Sequence, residues 1–479
     1  MQGPLDPFGH SHITDTTCPG FRAFHRRRST EILTLKILDI YYPEIASGQA
    51  IATSTSDPVH RRAPSVLFIT RFLRETYMKD IVIIGGGFAG VWSAAGAVRA
   101  AREAGEAGEQ VRVTLVNGGD DLVVRPRLYE DAPETMRVPL DRVLGPIGVR
   151  RVAATVTGID TEAHTVRAID RTGENLDLPY ERLVLASGSQ LVRPDFPGSQ
   201  EVFDVDTLPA AARLDAHLRR LPERTSSPGQ YTAVVVGAGF TGLEIATALV
   251  ERLRTVSDTQ SDPAEGVRVV LVDRADVVGP ELGPGPRPQI DSVIDELKIE
   301  RRLGRTVASV TTEGVTLSDG EVIPAATVVW TAGMAASPLT SQIPGERDRW
   351  GRLTVDEYLR VTGVDDVYAA GDTARGPADE GRSTVQSCQH ALPMGKYAGH
   401  NVVAELLGST LIPFTPDPYS NCLDLGPAGA LTTAGWDRQV VATGPEAKTL
   451  KENINTLWIY PPVDDRELIL AQAGRFSKG

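Results

Sequence analysis

The stretch Lys79-Asp-Ile-Val-Ile-Ile-Gly-Gly-Gly-Phe-Ala-Gly90 decides the fold of this chain. Its apolar, β-branched run at 81–84 predicts a short buried strand. The glycines that follow predict a tight turn into a helix beginning near Phe88. Gly85, Gly87 and Gly90 fill the three glycine places of a dinucleotide fingerprint. The first permits the turn, the second lets backbone approach a pyrophosphate, and the third lets the helix pack on the strand. The helix start then offers free N–H groups and a positive dipole end to phosphate.

The fingerprint recurs downstream. An apolar strand at 233–236 runs into Gly237-Ala-Gly-Phe-Thr-Gly242 and a helix over 243–253, which puts Gly237, Gly239 and Gly242 in the same three places. The paired strand at 267–272 ends at Asp273. A carboxylate there binds a ribose diol and repels a 2′-phosphate, favouring NADH over NADPH. In the first unit the strand at 111–116 ends instead at Asn117, whose amide can still bond a ribose although the fingerprint is incomplete. Glu244 stands two residues after the last glycine of the second turn. It is either a complement to the helix dipole or a proton-handling group near a bound cofactor ring.

Other segments add small residues and charge beside these turns. Arg125-Pro-Arg-Leu-Tyr-Glu130 brings Arg125 close to the first nucleotide; a surface loop with a salt bridge is the competing reading. A strand at 182–185 runs into Ala186-Ser187-Gly188-Ser189, where small side chains allow either close approach to a ligand or simply a tight turn. A strand from Thr327 ends in small residues at Gly333, and Val367-Tyr-Ala-Ala-Gly371-Asp372 predicts a short strand and a Gly-Asp turn. Residues 385–407 are expected to begin as a loop and continue as a helix from Lys396; residues 410–479 suggest strands followed by a helix.

The chain has 479 residues, enough for two to four domains. A formal charge of −13 argues against a nucleic-acid partner. No apolar run reaches the length of a membrane-spanning helix. Cys18, Cys388 and Cys422 form no close pair, so neither a disulfide scaffold nor a metal site is expected, and a reducing, cytoplasmic setting fits. Residues 1–77 lack clear periodicity and carry nine Lys/Arg against seven Asp/Glu, a charge of +2 that leaves −15 for the rest. They are expected to be an extension, largely disordered, upstream of a natural start at Met78.

Two fingerprints, the Ala186-Ser-Gly-Ser element and Tyr368-Ala-Ala-Gly-Asp372 together resemble the two-dinucleotide flavoproteins, the pyridine nucleotide oxidoreductases. The resemblance implies an α/β fold of two Rossmann-like, three-layer ββα domains, the FAD domain discontinuous, plus a small α+β C-terminal region. The expected boundaries are 78–196 with 349–403 for FAD, 197–348 for NADH and 404–479 for the C-terminal region. Gly85, Gly87, Gly90, Asn117, Arg125, Ala186, Ser187, Gly188, Gly371 and Asp372 would hold FAD. Gly237, Gly239, Gly242, Asp273 and Gly333 would serve NADH.

Gly237-Ala-Gly-Phe-Thr-Gly-Leu-Glu244 and Asn455-Thr-Leu-Trp-Ile-Tyr-Pro-Pro462 are similar in particular to the type II NADH dehydrogenases, whose acceptor is a quinone. Glu244 and Gln389 are then the expected catalytic residues, with His390 and Ala391 beside the flavin; for His390, plain packing is the alternative. The chain departs from that pattern where A-Q-x-A-x-Q becomes Cys388-Gln-His-Ala-Leu-Pro393. The departure keeps other readings open: a soluble reductase of a ferredoxin-like protein or small metabolite, or a non-enzymatic NADH/flavin redox sensor. Expected partners are a quinone or other small electron acceptor, a peripheral contact with the inner face of the cell membrane, and a second copy of the chain. No cysteine pair follows either glycine turn, which excludes disulfide-reductase chemistry.

Overall fold

The computed structural model describes residues 78–224, 227–257 and 266–476. The extension expected over 1–77 lies outside the described residues. In chain order, β1 (Lys79–Ile84), α1 (Phe88–Glu103), β2 (Val111–Val116), β3 (Arg150–Val152) and β4 (Arg182–Leu185) come first. β5 (Thr232–Val236), α2 (Phe240–Ser257), β6 (Arg268–Asp273), β7 (Glu300–Leu303) and β8 (Thr327–Trp330) follow. β9 (Val367–Ala369), α3 (Cys388–Leu407), β10 (Ser420–Asp424), β11 (Ala430–Ala434), β12 (Gln439–Thr443) and α4 (Gly444–Asn453) complete the elements that shape the site.

Two parallel sheets carry the fold. The first has strand order β9-β4-β1-β2-β3 and the second β7-β6-β5-β8. Parallel strands covered on both faces become continuous apolar runs, and β5 is buried at every position. Each unit also carries a three-stranded antiparallel sheet, one built from Ala154–Asp160, Thr165–Asp170 and Asn175–Pro179, the other from Val307–Thr311, Gly314–Leu317 and Val322–Pro324. This is the expected pair of three-layer units. The first sheet is discontinuous because β9 returns to it after the whole second unit has been completed.

Helix packing explains why β9 is held there. α1 and α3 cross so closely that a Cβ on Gly399 would strike the Ser93 carbonyl. The small residues of α1 therefore serve α3 as well as the sheet. α3 begins at Cys388, earlier than expected, because Ser387 caps it by accepting from the His390 N–H at 3.4 Å. Pro393 is tolerated inside it. The C-terminal β10, β11 and β12 form an antiparallel sheet backed by α4. No described helix is long and apolar enough to cross a membrane.

Candidate functional site

The first glycine turn tests whether a dinucleotide fits. A Cβ on Gly85, which has φ of +114°, would strike the Ala186 carbonyl, and one on Gly90 would strike the carbonyl of Gly85. Packing within the protein demands both glycines. Gly87 is different: as N-cap of α1 it has φ −80° and ψ −171°, open to any residue, and no protein atom lies within 4 Å of its Cβ position. Nothing in the protein requires glycine there, and the space beside it is open to a ligand. α1 also has no side-chain cap, so its first-turn N–H groups are available to phosphate. Nearby, the buried Ser187 Oγ has no hydrogen-bond partner in the protein. These features fit a bound dinucleotide.

The residues that follow the second strand of each unit do the same work. Asn117 Oδ1 accepts from the Gly86 N–H at 2.9 Å, while its Nδ2 donates to the Gly119 carbonyl at 2.9 Å. Asp273 Oδ2 accepts from the Ala238 N–H at 2.6 Å and Oδ1 from the Ala275 N–H at 2.7 Å. Both side chains brace a glycine turn, so an amide suffices at Asn117. In the second turn a Cβ on Gly242 would strike the Gly237 carbonyl, repeating the Gly85–Gly90 contact.

Asp372 and Arg125 come together as one polar group. Asp372 Oδ2 accepts from Ser189 Oγ at 2.6 Å and lies 3.8 Å from Arg125 Nη1. Burial raises the Asp372 carboxyl against the pull of Ser189 and Arg125. Arg125 also pairs with Asp206, which the sequence did not single out. Gly371, at φ +72°, packs between the side chains of Ala89 and Ala391. The positive φ of Gly188 (+71°) and Gly333 (+84°) belongs to the linking segments, where Val192 N–H donates to the Gly333 carbonyl at 3.0 Å.

The two expected catalytic residues are bridged by one strand. Gln389 Oε1 accepts from the Ser420 N–H at 3.4 Å and its Nε2 donates to the Pro418 carbonyl at 3.1 Å. Glu244 Oε1 accepts from the Asp424 N–H at 3.1 Å. Ser420 and Asp424 are the two ends of β10, so Gln389 and Glu244 stand about 13 Å apart along it. Between them, Asn421 and Thr433 face each other across the ladder, and Asn421 Nδ2 and Thr433 Oγ1 are buried without partners. His390 is buried, stacks on Tyr419 with ring centroids 5.8 Å apart, and is held neutral by burial, its pKa lowered to about 4.

Glu244 is not a surface complement to a helix dipole. It is buried and paired with Lys451 Nζ at 2.8 Å. Burial raises the Glu244 carboxyl to about 7 even against Lys451. Burial works against the Lys451 ammonium too, but the Glu244 carboxylate outweighs it and leaves that pKa raised. Asp424 accepts from Tyr129 Oη at 2.9 Å and from Lys448 Nζ at 2.7 Å. A cavity of about 630 Å³ reaches Lys451, Asp424, Lys448, Tyr129, Glu130 and Asn455. Lys451, Lys448 and Asp424 carried no sequence signal, since each is an isolated residue whose partners lie far along the chain; Tyr129 was visible only as the aromatic of the Arg125–Glu130 stretch.

Comparison with known proteins gives this geometry its relatives. A family model described as pyridine nucleotide-disulphide oxidoreductase matches residues 79–395. An NADH dehydrogenase-like protein of Mycobacterium tuberculosis is 45% identical over 403 residues, covering 83% of this chain and 99% of its own. A type II NADH:quinone oxidoreductase of the same organism is 31% identical over 359 residues, covering 66% of this chain and 71% of its own. The fold matches a structure of NDH2 from Plasmodium falciparum in complex with NADH, with a TM-score of 0.69 at 14% identity, covering 83% of this chain and 98% of that one.

Proposed function

The chain belongs to the pyridine nucleotide-disulphide oxidoreductase family, and from that membership we propose that it is an FAD-dependent type II NADH dehydrogenase that passes electrons from NADH to a quinone. The observation that carries this reading is β10, whose two ends bond Gln389 and Glu244 while Asn421 and Thr433 between them keep buried polar atoms without partners. A polar atom buried without a partner costs about 1–3 kcal/mol, so a ligand carbonyl that bonded either would relieve that cost. A quinone head group supplies two carbonyls on a flat apolar ring.

In this reading Gly85, Gly87, Gly90, Ser187 and Asp372 hold FAD, and Gly237, Gly239, Gly242 and Asp273 hold NADH. Bound FAD supplies the step that accepts hydride from NADH and releases electrons to the acceptor. The protein's own part is binding, orientation and proton supply. The Glu244 carboxyl, raised to about 7 by burial, exchanges a proton near neutral pH. The polar cavity of about 630 Å³ reaches its partner Lys451 and has room for the water that would replenish that proton. The domain boundaries 78–196 with 349–403, 197–348 and 404–479 are part of this reading, as is a cytoplasmic protein touching the membrane through exposed Leu457 and Trp458.

The test is an absorbance spectrum followed by turnover. Flavin bands that bleach with NADH, and poorly with NADPH, are expected, followed by rapid reoxidation on adding a water-soluble quinone. Reoxidation no faster than that by dissolved oxygen would remove the quinone from the reading. Absence of flavin bands after reconstitution with FAD would remove the cofactor assignment.

A further inference from the structure

The two glycine turns differ at the point where a pyrophosphate would meet them. Nothing in the protein lies within 4 Å of the Gly87 Cβ position, whereas at Gly239 that position falls against the carboxylate of Glu281. Glu281 Oε1 accepts from the Phe240 N–H at 2.8 Å, at the start of the 18-residue helix α2. A negative charge therefore stands on a helix N-terminus, where both the free N–H group and the dipole favour an anion. The carboxylate and a dinucleotide pyrophosphate would compete for one place.

The segment that carries Glu281 is built to hold it there and to let it leave. Gly279 and Gly283, at φ +54° and +73°, flank the single turn Pro280–Leu282. Leu282 is buried, and Gly279 N–H donates to the Ala238 carbonyl at 2.8 Å, so the turn is tied to the glycine loop by backbone. Glu281 itself is exposed. Its side chain can rotate into water without disturbing Leu282.

We infer that Glu281 is a built-in stand-in for the pyrophosphate of NADH, which occupies the second glycine turn between turnovers and is displaced when NADH binds. The inference rests on assigning NADH to the second fingerprint. It accounts for the difference between the turns. A cofactor that stays bound keeps its helix end satisfied, whereas a co-substrate that comes and goes leaves that end bare in every cycle. Glu281 satisfies it meanwhile and weakens the apparent affinity for NADH by the fraction of time it occupies the site. Product NAD⁺ meets the same competition, so Glu281 also hinders its rebinding.

The experiment compares the flavin-loaded full chain with its Glu281→Gln, Glu281→Ala and Asp273→Ala variants. NADH oxidation with a water-soluble quinone is inhibited with ADP-ribose, which carries the pyrophosphate, and with adenosine, which does not. Both Glu281 variants are expected to lower the KM for NADH and the inhibition constant of ADP-ribose about five-fold, the equivalent of one helix cap. The adenosine constant should not move. Unchanged or weaker ADP-ribose binding in both Glu281 variants would overturn the inference, and a fall in Tm alone would mark Glu281 as a structural cap. Asp273→Ala separates the two levels: it should weaken ADP-ribose binding, and if it does not, the NADH assignment itself falls and takes this inference with it.

Discussion

Glu244 and Lys451 form a buried ion pair whose members lie 207 positions apart in the chain. Burial lifts the Glu244 carboxyl from 4.5 to about 7. Between those values the folded protein binds a proton that the unfolded chain releases, so this group's contribution to stability falls as pH rises through that window. Lys451→Met would leave the carboxylate without its cation. Without Lys451 the carboxyl rises further above 7 and is protonated at both pH 8 and pH 5.5. The loss of stability should therefore be larger at pH 8 than at pH 5.5 by up to about 1.4 kcal/mol, the cost of that protonation one unit above its present value. Urea denaturation at the two pH values checks this, and equal penalties would contradict it. Adding Glu244→Gln to Lys451→Met should remove this group's pH dependence, since no carboxyl then remains there to titrate. Glu244 was legible from its place after a fingerprint glycine, but its partner was not. One lysine in a helix with no special spacing gives no hint of which carboxylate it will meet.

At the scale of elements, the glycine turns were legible because their constraints are local. Gly90 is fixed by the Gly85 carbonyl and Gly85 by its positive φ, both within a strand–turn–helix of twelve residues, 79–90, and that pattern survives in the sequence alone; the Ala186 carbonyl that also excludes a side chain at Gly85 lies outside it. The contrast with Gly87 yields a prediction. Gly90→Ala drives a methyl group into the Gly85 carbonyl and should cost about 3 kcal/mol even in flavin-free protein. Gly87→Ala meets nothing in the protein and should cost under about 1 kcal/mol, the difference between glycine and alanine at a cap. It should nevertheless weaken FAD binding markedly in a fluorescence titration. FAD affinity unchanged in Gly87→Ala would mean that no phosphate sits on that turn. The start of α3 was not legible, because Pro393 argues for a loop while the Ser387 cap that overrules it depends on local geometry. Strand Asn175–Pro179 was missed for a related reason: its polar, alternating residues gain their order from pairing with Thr165–Asp170.

At the scale of the whole molecule, the C-terminal region joins the two α/β units. β10 bonds Gln389 of α3 at one end and Glu244 of α2 at the other, so it ties the discontinuous first unit to the second. Further ties run from Arg127 to Tyr460 at 3.0 Å and from Arg142 to Asp464 at 2.8 Å. Contacts of this span leave no periodic trace, which is why the two sheets were readable and the third wall of the site was not. The same region divides the Leu457-Trp-Ile-Tyr460 cluster between two environments. Ile459 is buried and Tyr460 is bonded inward, whereas Leu457 and Trp458 are 63% and 60% exposed. Two large apolar side chains left in water beside a buried anchor suit insertion into a lipid surface, with Tyr460 and Ile459 fixing the segment that presents them. Replacing Leu457 and Trp458 together by Ser should lower binding to lipid vesicles about ten-fold or more. NADH oxidation with a water-soluble quinone should persist, since both side chains point to solvent and neither is a hydrogen-bond partner of Glu244 or Gln389. Co-sedimentation with vesicles, run beside that assay, separates the outcomes. Vesicle binding that is absent in the parent protein, or undiminished in the double variant, would contradict a membrane contact through this cluster.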